Sequence, residues 1–191
     1  MKNKMVKIKN ALISVSNKSG LKKFVSDLNS LDIKVVASGG TAKFIENKGF
    51  NVIDIEKITG FPQLLGGRVK TLHPKIHSSI LADRGNQHHI KDLKKMEIDT
   101  IDLVVCDLYP FSDADVKKKN IDYCVENIDI GGITLLRAAG KNFKYVTVIT
   151  NISQYQEVIN HLKDNKGYST YKFRLKKANE AFKYSSNYDS Q

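Results

Sequence analysis

Residues 11–21 read Ala-Leu-Ile-Ser-Val-Ser-Asn-Lys-Ser-Gly-Leu, and residues 35–45 read Val-Val-Ala-Ser-Gly-Gly-Thr-Ala-Lys-Phe-Ile. Both follow one plan: a short apolar run, a turn of small hydroxyl and glycine residues, then apolar residues at helical spacing. This is the strand–turn–helix unit of a parallel sheet. Runs at 52–55, 101–106 and 145–149 join 11–15 and 33–37 as strands, alternating with helical patterns at 21–31, 42–48, 87–96, 134–139 and 153–163. Most of the strands are apolar on both faces, as a sheet covered by helices on each side requires. The expected fold is α/β, a doubly wound and mostly parallel sheet in three layers.

The 191 residues suffice for one sizeable core, so a single domain over 1–191 is expected. A hydrophobic fraction of 41% and a charged fraction of 27% are those of a folding chain rather than a disordered one. No apolar run approaches the roughly 20 residues that span a bilayer, and the opening Met-Lys-Asn-Lys-Met-Val-Lys lacks the apolar stretch of a signal peptide. A cytoplasmic chain without a membrane partner is expected. Cys106 and Cys124 have no C-x-x-C spacing, so neither a zinc ribbon nor a disulfide framework is indicated. The net charge of +11 invites anions, but the lysines are dispersed, the densest run being 117–119. Without an aromatic-basic platform, a small anionic ligand is expected rather than nucleic acid.

The turn Ser14-Val-Ser16-Asn17-Lys18-Ser19-Gly20 and the turn Ser38-Gly39-Gly40-Thr41 each open a helix at the carboxyl end of a strand. Helix N-termini present unpaired amides and a partial positive charge, and glycine lets a phosphate approach the backbone. Ordinary capping and turning would also explain either turn alone. Residues 60–80 hold glycines, two prolines and basic side chains without clean periodicity, and read as a long functional loop. Within it, Gly66-Gly67-Arg68-Val69-Lys70-Thr71 gathers a guanidinium, an ammonium and a hydroxyl suited to phosphate or to a developing oxyanion. His73 and His77 have metal-pair spacing, yet Pro74 follows the first and no H-E-x-x-H pattern is present, so no metal is expected. Tyr109 in Cys106-Asp107-Leu-Tyr109-Pro-Phe111, Asp129 before Ile130-Gly131-Gly132, and Lys141 form a possible proton-handling set. Spacing alone does not bring them together. The segment 168–188 carries Leu175, Ala178 and Phe182 at helical spacing and is expected to dock on the domain or on a partner.

Read together, SVSNKSGL, ASGGTAKFI, TGFPQLLGGRVKTLHPKIH, IDLVVCDLYPF and ENIDIGGITLLRAAGKN resemble the N-terminal cyclohydrolase domain of the bifunctional purine-biosynthesis enzymes. The resemblance runs from Ala11 to Asp189 and implies a methylglyoxal-synthase-like fold. It implies closure of 5-formamido-imidazole-4-carboxamide ribonucleotide (FAICAR) to IMP without metal or organic cofactor, by a homodimer. Ser16, Asn17, Lys18, Ser38, Gly39, Gly40, Thr41, Arg68, Val69, Lys70 and Thr71 would then hold the nucleotide, chiefly its phosphate. Cys106, Asp107, Asp129 and Ile130 would line the base pocket. Lys141 would be the principal proton carrier, assisted by Lys70, Tyr109 and Asp129. Residues 168–191 would lead to a formyltransferase domain that the chain lacks.

Three positions depart from that family pattern: Asp107 stands where asparagine is expected, Ile133 where proline or valine is usual, and Gly140 in place of an alanine. A regulatory domain that senses a phosphorylated metabolite is the competing expectation. It would keep the phosphate turns but would not need Lys70, Tyr109, Asp129 and Lys141.

Overall fold

The computed structural model describes residues 4–62, 64–109 and 121–190. Pro110, Phe111 and the lysine run at 117–119 lie outside the described residues. The chain order is β1 (Val6–Lys7), β2 (Asn10–Ser14), α1 (Leu21–Ser30), β3 (Lys34–Ala37), α2 (Gly39–Asn47), β4 (Ile53–Asp54) and α3 (Ile55–Thr59). It continues with α4 (Pro74–Leu81), α5 (Gln87–Lys95), β5 (Leu103–Cys106), α6 (Ile121–Glu126) and α7 (Ile130–Lys141). Then come β6 (Thr147–Ile149), α8 (Tyr155–Asp164), β7 (Tyr168–Ser169) and α9 (Tyr171–Asp189). Five strands form one sheet in the order β4-β3-β2-β5-β6, every ladder parallel, and β1 pairs with β7 in a small antiparallel sheet.

Alternate residues of each main strand enter different cores, which makes three layers. Ala11, Ile13, Val35, Ala37, Leu103 and Val105 pack with α1, α2 and α8, where Leu21, Phe24, Val25 and Leu28 cover the sheet. Leu12, Val36, Val104 and Cys106 face the other way, onto Ile76 and Ile80 of α4, Leu135 and Leu136 of α7, and Ala181 of α9. Each of these buried valine, leucine, isoleucine and phenylalanine side chains contributes about 1.5–3 kcal/mol by leaving water. At the amino ends of the strands, Asp102 accepts from the amides of Lys9 at 2.7 Å and Asn10 at 3.0 Å and pairs with Arg84 at 2.6 Å. These contacts fix β2 against β5.

The structure departs from the sequence reading in four places. The stretch 60–80 is not loop throughout: α4 begins inside it, because proline fits the first helical position and His73 caps the helix through Nδ1, accepting from the amide of Lys75 at 3.2 Å. The strand at 52–55 ends at Asp54, whose carboxylate caps α3. The pattern at 134–139 belongs to a helix that already starts at Ile130. The C-terminal helix docks on the domain, but Leu175 and Phe182 stay partly exposed while Phe173, Arg174, Lys177, Ala178, Ala181 and Ser185 are buried. Periodicity counts only apolar residues, and here two buried cations share the inner face. Lys177 is held by Glu157 and Glu180, and the ring of Phe182 packs on Gly140, where an added Cβ would lie 3.0 Å from it.

Arg174 is wholly buried and donates to the carbonyls of Phe143 (2.9 Å), Lys144 (3.0 Å), Lys4 (2.9 Å) and Ser169, tying three separate segments together. Arg174→Met keeps apolar length but strands those carbonyls. It is expected to lower unfolding free energy by about 3 kcal/mol or more in urea titration, since one such charge-assisted bond contributes about 1.5–3 kcal/mol. A loss below about 1 kcal/mol would show that the carbonyls find other donors.

Candidate active site

The chain runs outward through β2, β3 and β4, then returns to place β5 on the other side of β2. Ligands of open α/β sheets bind at such a reversal, beyond the carboxyl ends of the strands. Ser14 ends β2 directly opposite Cys106 at the end of β5. A cavity of about 610 Å³ opens there, lined by Ser14, Ser38, Gly66, Arg68, Lys70, Thr71, Tyr109 and the stretch 125–132. That volume lies in the usual range for small-molecule sites, about 300–1,000 Å³.

The two glycine turns differ in what their polar groups already hold. In the first, the amides of Ser16 and Asn17 both donate to the carboxylate of Asp107, the second at 3.0 Å. The Asn17 side chain accepts from the Ser19 amide at 2.9 Å, and the Lys18 ammonium lies on the carbonyls of Val15 and Ser16. Burial pulls the pKa of Lys18 down, Asp107 opposes this, and Lys70 adds to it. The hydroxyl of Thr41 bridges back to the amide and carbonyl of Val15, at 3.3 and 3.1 Å, and locks the turns together. The second turn is different. Gly39 opens α2 at φ 52°, a left-handed conformation that glycine adopts without strain, and Ser38 makes no capping bond there. The Thr41 amide donates to the Ser38 carbonyl at 3.2 Å, which leaves the amides of Gly39 and Gly40 for a ligand beside Ser38.

Asp129 has two duties. It is the N-cap of α7, accepting from the amide of Gly132 at 2.6 Å, and burial raises its pKa against the lowering effect of amide bonds from Gly132 and Tyr109. Gly132 has to be glycine: a Cβ would lie 2.6 Å from the Asp129 carboxylate. The C-terminal helix supports this corner from below, where the hydroxyl of Tyr188 accepts from the Asp129 amide at 2.9 Å and that of Tyr184 from the Leu108 amide at 3.3 Å. Tyr109 meets Tyr123 hydroxyl to hydroxyl at 3.3 Å. Burial pushes the Cys106 thiol well up, which keeps it neutral and unsuited to nucleophilic attack.

The structure thus brings Ser38, Arg68, Lys70, Thr71, Tyr109, Asp129 and Ile130 to one cavity. Val69 bridges to Leu64 within the same wall. Asp107 turns its carboxylate to the first turn instead of the cavity. Lys141 is not brought in. It ends the 12-residue helix that Asp129 begins, roughly 18 Å away along the axis, beside His77, Arg137 and Phe182. Glu126, Tyr184 and Tyr188 were not singled out by the sequence, because their partners lie 58, 76 and 59 residues away and no periodicity reports such pairs.

A parallel sheet with glycine turns and a polar cavity at its reversal defines a three-layer α/β domain with a crevice at the carboxyl ends of its strands. The chain belongs to the MGS-like domain family, whose model matches residues 20–134, and residues 139–191 match the AICARFT/IMPCHase bienzyme family. It is 46% identical over 185 residues to the bifunctional purine biosynthesis protein PurH of Acetivibrio thermocellus, covering 96% of this chain and 36% of that protein. The PurH of Ruminiclostridium cellulolyticum gives the same identity and coverage. The chain thus spans about 36% of the length of these relatives. The crystal structure of ForH superposes with a TM-score of 0.84 at 31% identity over 96% of both chains.

Asparagine offers one carbonyl oxygen where Asp107 offers two carboxylate oxygens. Asp107→Asn is therefore expected to free one of the two amides, speeding hydrogen exchange at Ser16 or Asn17 about five-fold, the equivalent of one ordinary hydrogen bond of about 1 kcal/mol. Unchanged exchange at both amides would mean that the turn holds its shape without the carboxylate.

Proposed function

We propose that the chain is an IMP cyclohydrolase that closes FAICAR to IMP, acting in the cytoplasm as a homodimer. One observation carries the reading: Lys70, Tyr109 and Asp129, three proton-handling side chains, share a cavity with Ser38 at the start of α2. A domain that only sensed a phosphate would need the helix start and not the other three. The names of the relatives and the bienzyme match over 139–191 support the same reaction.

In this reading the 5′-phosphate lies on the amides of Gly39 and Gly40, with the Ser38 hydroxyl donating to it and the Lys18 ammonium offsetting its charge. Ser16, Asn17 and Thr41 shape the cradle instead of touching the phosphate. The imidazole lies between Thr71 and the stretch 129–131. Ring closure joins the carboxamide nitrogen to the formyl carbon; the carboxamide nitrogen loses one proton and the formamido nitrogen the other, and the formyl oxygen gains both and leaves as water. Atoms balance within one molecule, with no redox change and no carrier. Holding the two groups in contact contributes up to about 7–11 kcal/mol to lowering the barrier. The developing oxyanion faces the first-turn amides of Ile130 and Gly131, at the positive end of α7. Asp129, its pKa already raised by burial, takes the nitrogen's proton, and Lys70 and Tyr109 supply protons to the leaving oxygen. Lys141 acts across the dimer, from α7 of a second copy, since its own cavity lies a helix length away.

The purified chain is expected to turn FAICAR into IMP, read as purine absorbance, in buffer with chelator and without folate. Asp129→Asn keeps a good N-cap, so stability should hold while kcat falls roughly 10²–10⁴-fold. Asp129 must be ionised to accept a proton. Because burial raises its pKa, kcat/KM should fall as pH drops through a point above the ordinary value of about 3.9, and the asparagine variant should lack that limb. No product, or an acid limb that survives in Asp129→Asn, would contradict the assignment.

Mixing Lys141→Ala chains with Asp129→Asn chains tests the shared site. Random re-pairing of two-fold dimers should restore about a quarter of wild-type activity, through mixed dimers with one intact site. A mixture no better than its parents would contradict a site shared between two copies.

A further inference from the structure

Two walls enclose the cavity, and they come from distant parts of the chain. One is the stretch 64–71, drawn into a tight loop by the Leu64–Val69 bridge and the amide of Arg68 donating to the Leu65 carbonyl at 3.2 Å. The other runs from Val125 at the end of α6 to Gly132 in the first turn of α7. At the base the walls nearly touch: a Cβ on Gly131 would stand 2.9 Å from the Thr71 hydroxyl. At the mouth, Arg68 reaches across and grips Glu126 with two prongs, Nε on Oε1 at 3.2 Å and Nη2 on Oε2. Lys70, Tyr109 and Asp129 line the cavity that these walls enclose.

We propose that Glu126 is a positioning residue, the catch of a clasp that Arg68 closes over the bound nucleotide. The inference rests on the cyclohydrolase reading of the cavity. Three features favour it. The guanidinium is already occupied by a planar carboxylate in its best two-point geometry, so it is not waiting for a phosphate. The base of the cleft is fixed by packing, so the mouth is where the walls can part. Both partners are about 60% exposed, and an ion pair in water changes an equilibrium by no more than about five-fold. A contact that weak opens on its own, as an entrance must, yet biases the loop towards presenting Val69, Lys70 and Thr71 to the ligand. Glu126 thereby governs how long the nucleotide stays, and the chemical step depends on the groups inside.

The test is IMP binding and turnover by wild type, Glu126→Gln, Arg68→Gln and the double variant, with the full chain in each case. A clasp makes Glu126→Gln bind IMP about two- to five-fold more weakly, through faster dissociation, with KM raised and kcat nearly unchanged. The double variant should then be no worse than Arg68→Gln alone, because each substitution breaks the same contact. If Arg68 were instead a phosphate ligand held back by Glu126, Glu126→Gln would bind IMP more tightly, and the proposal would be overturned. Unchanged affinity, or losses that simply add in the double variant, would overturn it as well. A wild-type chain that takes up no IMP would sink the cyclohydrolase reading and the clasp with it, whereas normal wild-type binding with insensitive variants would sink the clasp alone.

Discussion

Five parallel strands whose order reverses between β2 and β5 impose the constraint on which the rest depends. Side-by-side parallel strands send their connections off at the same end, and at a reversal those connections diverge and leave a crevice. Every loop that reaches the crevice starts from a fixed strand end. Ser14 and Cys106 stand opposite each other in register, so the turn after β2 and the segment after β5 emerge together, and Asp107 binds one to the other through the amides of Ser16 and Asn17. The buried pair of Arg84 and Asp102 holds the same two strands at their opposite ends. With the strand ends fixed, the walls of the cavity need only short reaches to meet.

Economy of polar groups follows from that crowding. A half-buried carboxylate is tolerated only with partners, and Asp129 finds them by capping α7, which also fixes where its oxygens point. The helix it caps gives the cavity its positive end. Tyr184 and Tyr188 brace the backbone on either side, so the C-terminal helix is part of the floor of the site and not an appendage. The buried face of that helix carries Arg174 and Lys177, whose bonds to backbone carbonyls and to Glu157 and Glu180 anchor it before its tyrosines reach the site.

Much of this was legible in the sequence where one local rule decides. Strands apolar on both faces, glycine after a strand and a hydroxyl before a helix placed the sheet and the two turns. Residues 66–71 stood out because a guanidinium, an ammonium and a hydroxyl fall within a few positions. What stayed hidden was pairing over distance. Nothing local shows that Arg68 pairs with Glu126, 58 residues on, or that two amides converge on Asp107, which only the family resemblance had singled out. The start of α4 was missed because proline ordinarily signals a break, although at the first turn it does not.

In the proposed arrangement the nucleotide lies between 66–71 and 129–132 with its phosphate on the start of α2. Amide hydrogen exchange with and without saturating IMP tests it most directly. Binding should slow exchange at Gly39, Gly40, Ile130 and Gly131, whose amides are left for the ligand. Ser16 and Asn17, already held by Asp107, should change little. Strong new protection at Ser16 and Asn17 with none at Gly39 and Gly40 would put the phosphate on the other turn and contradict the arrangement.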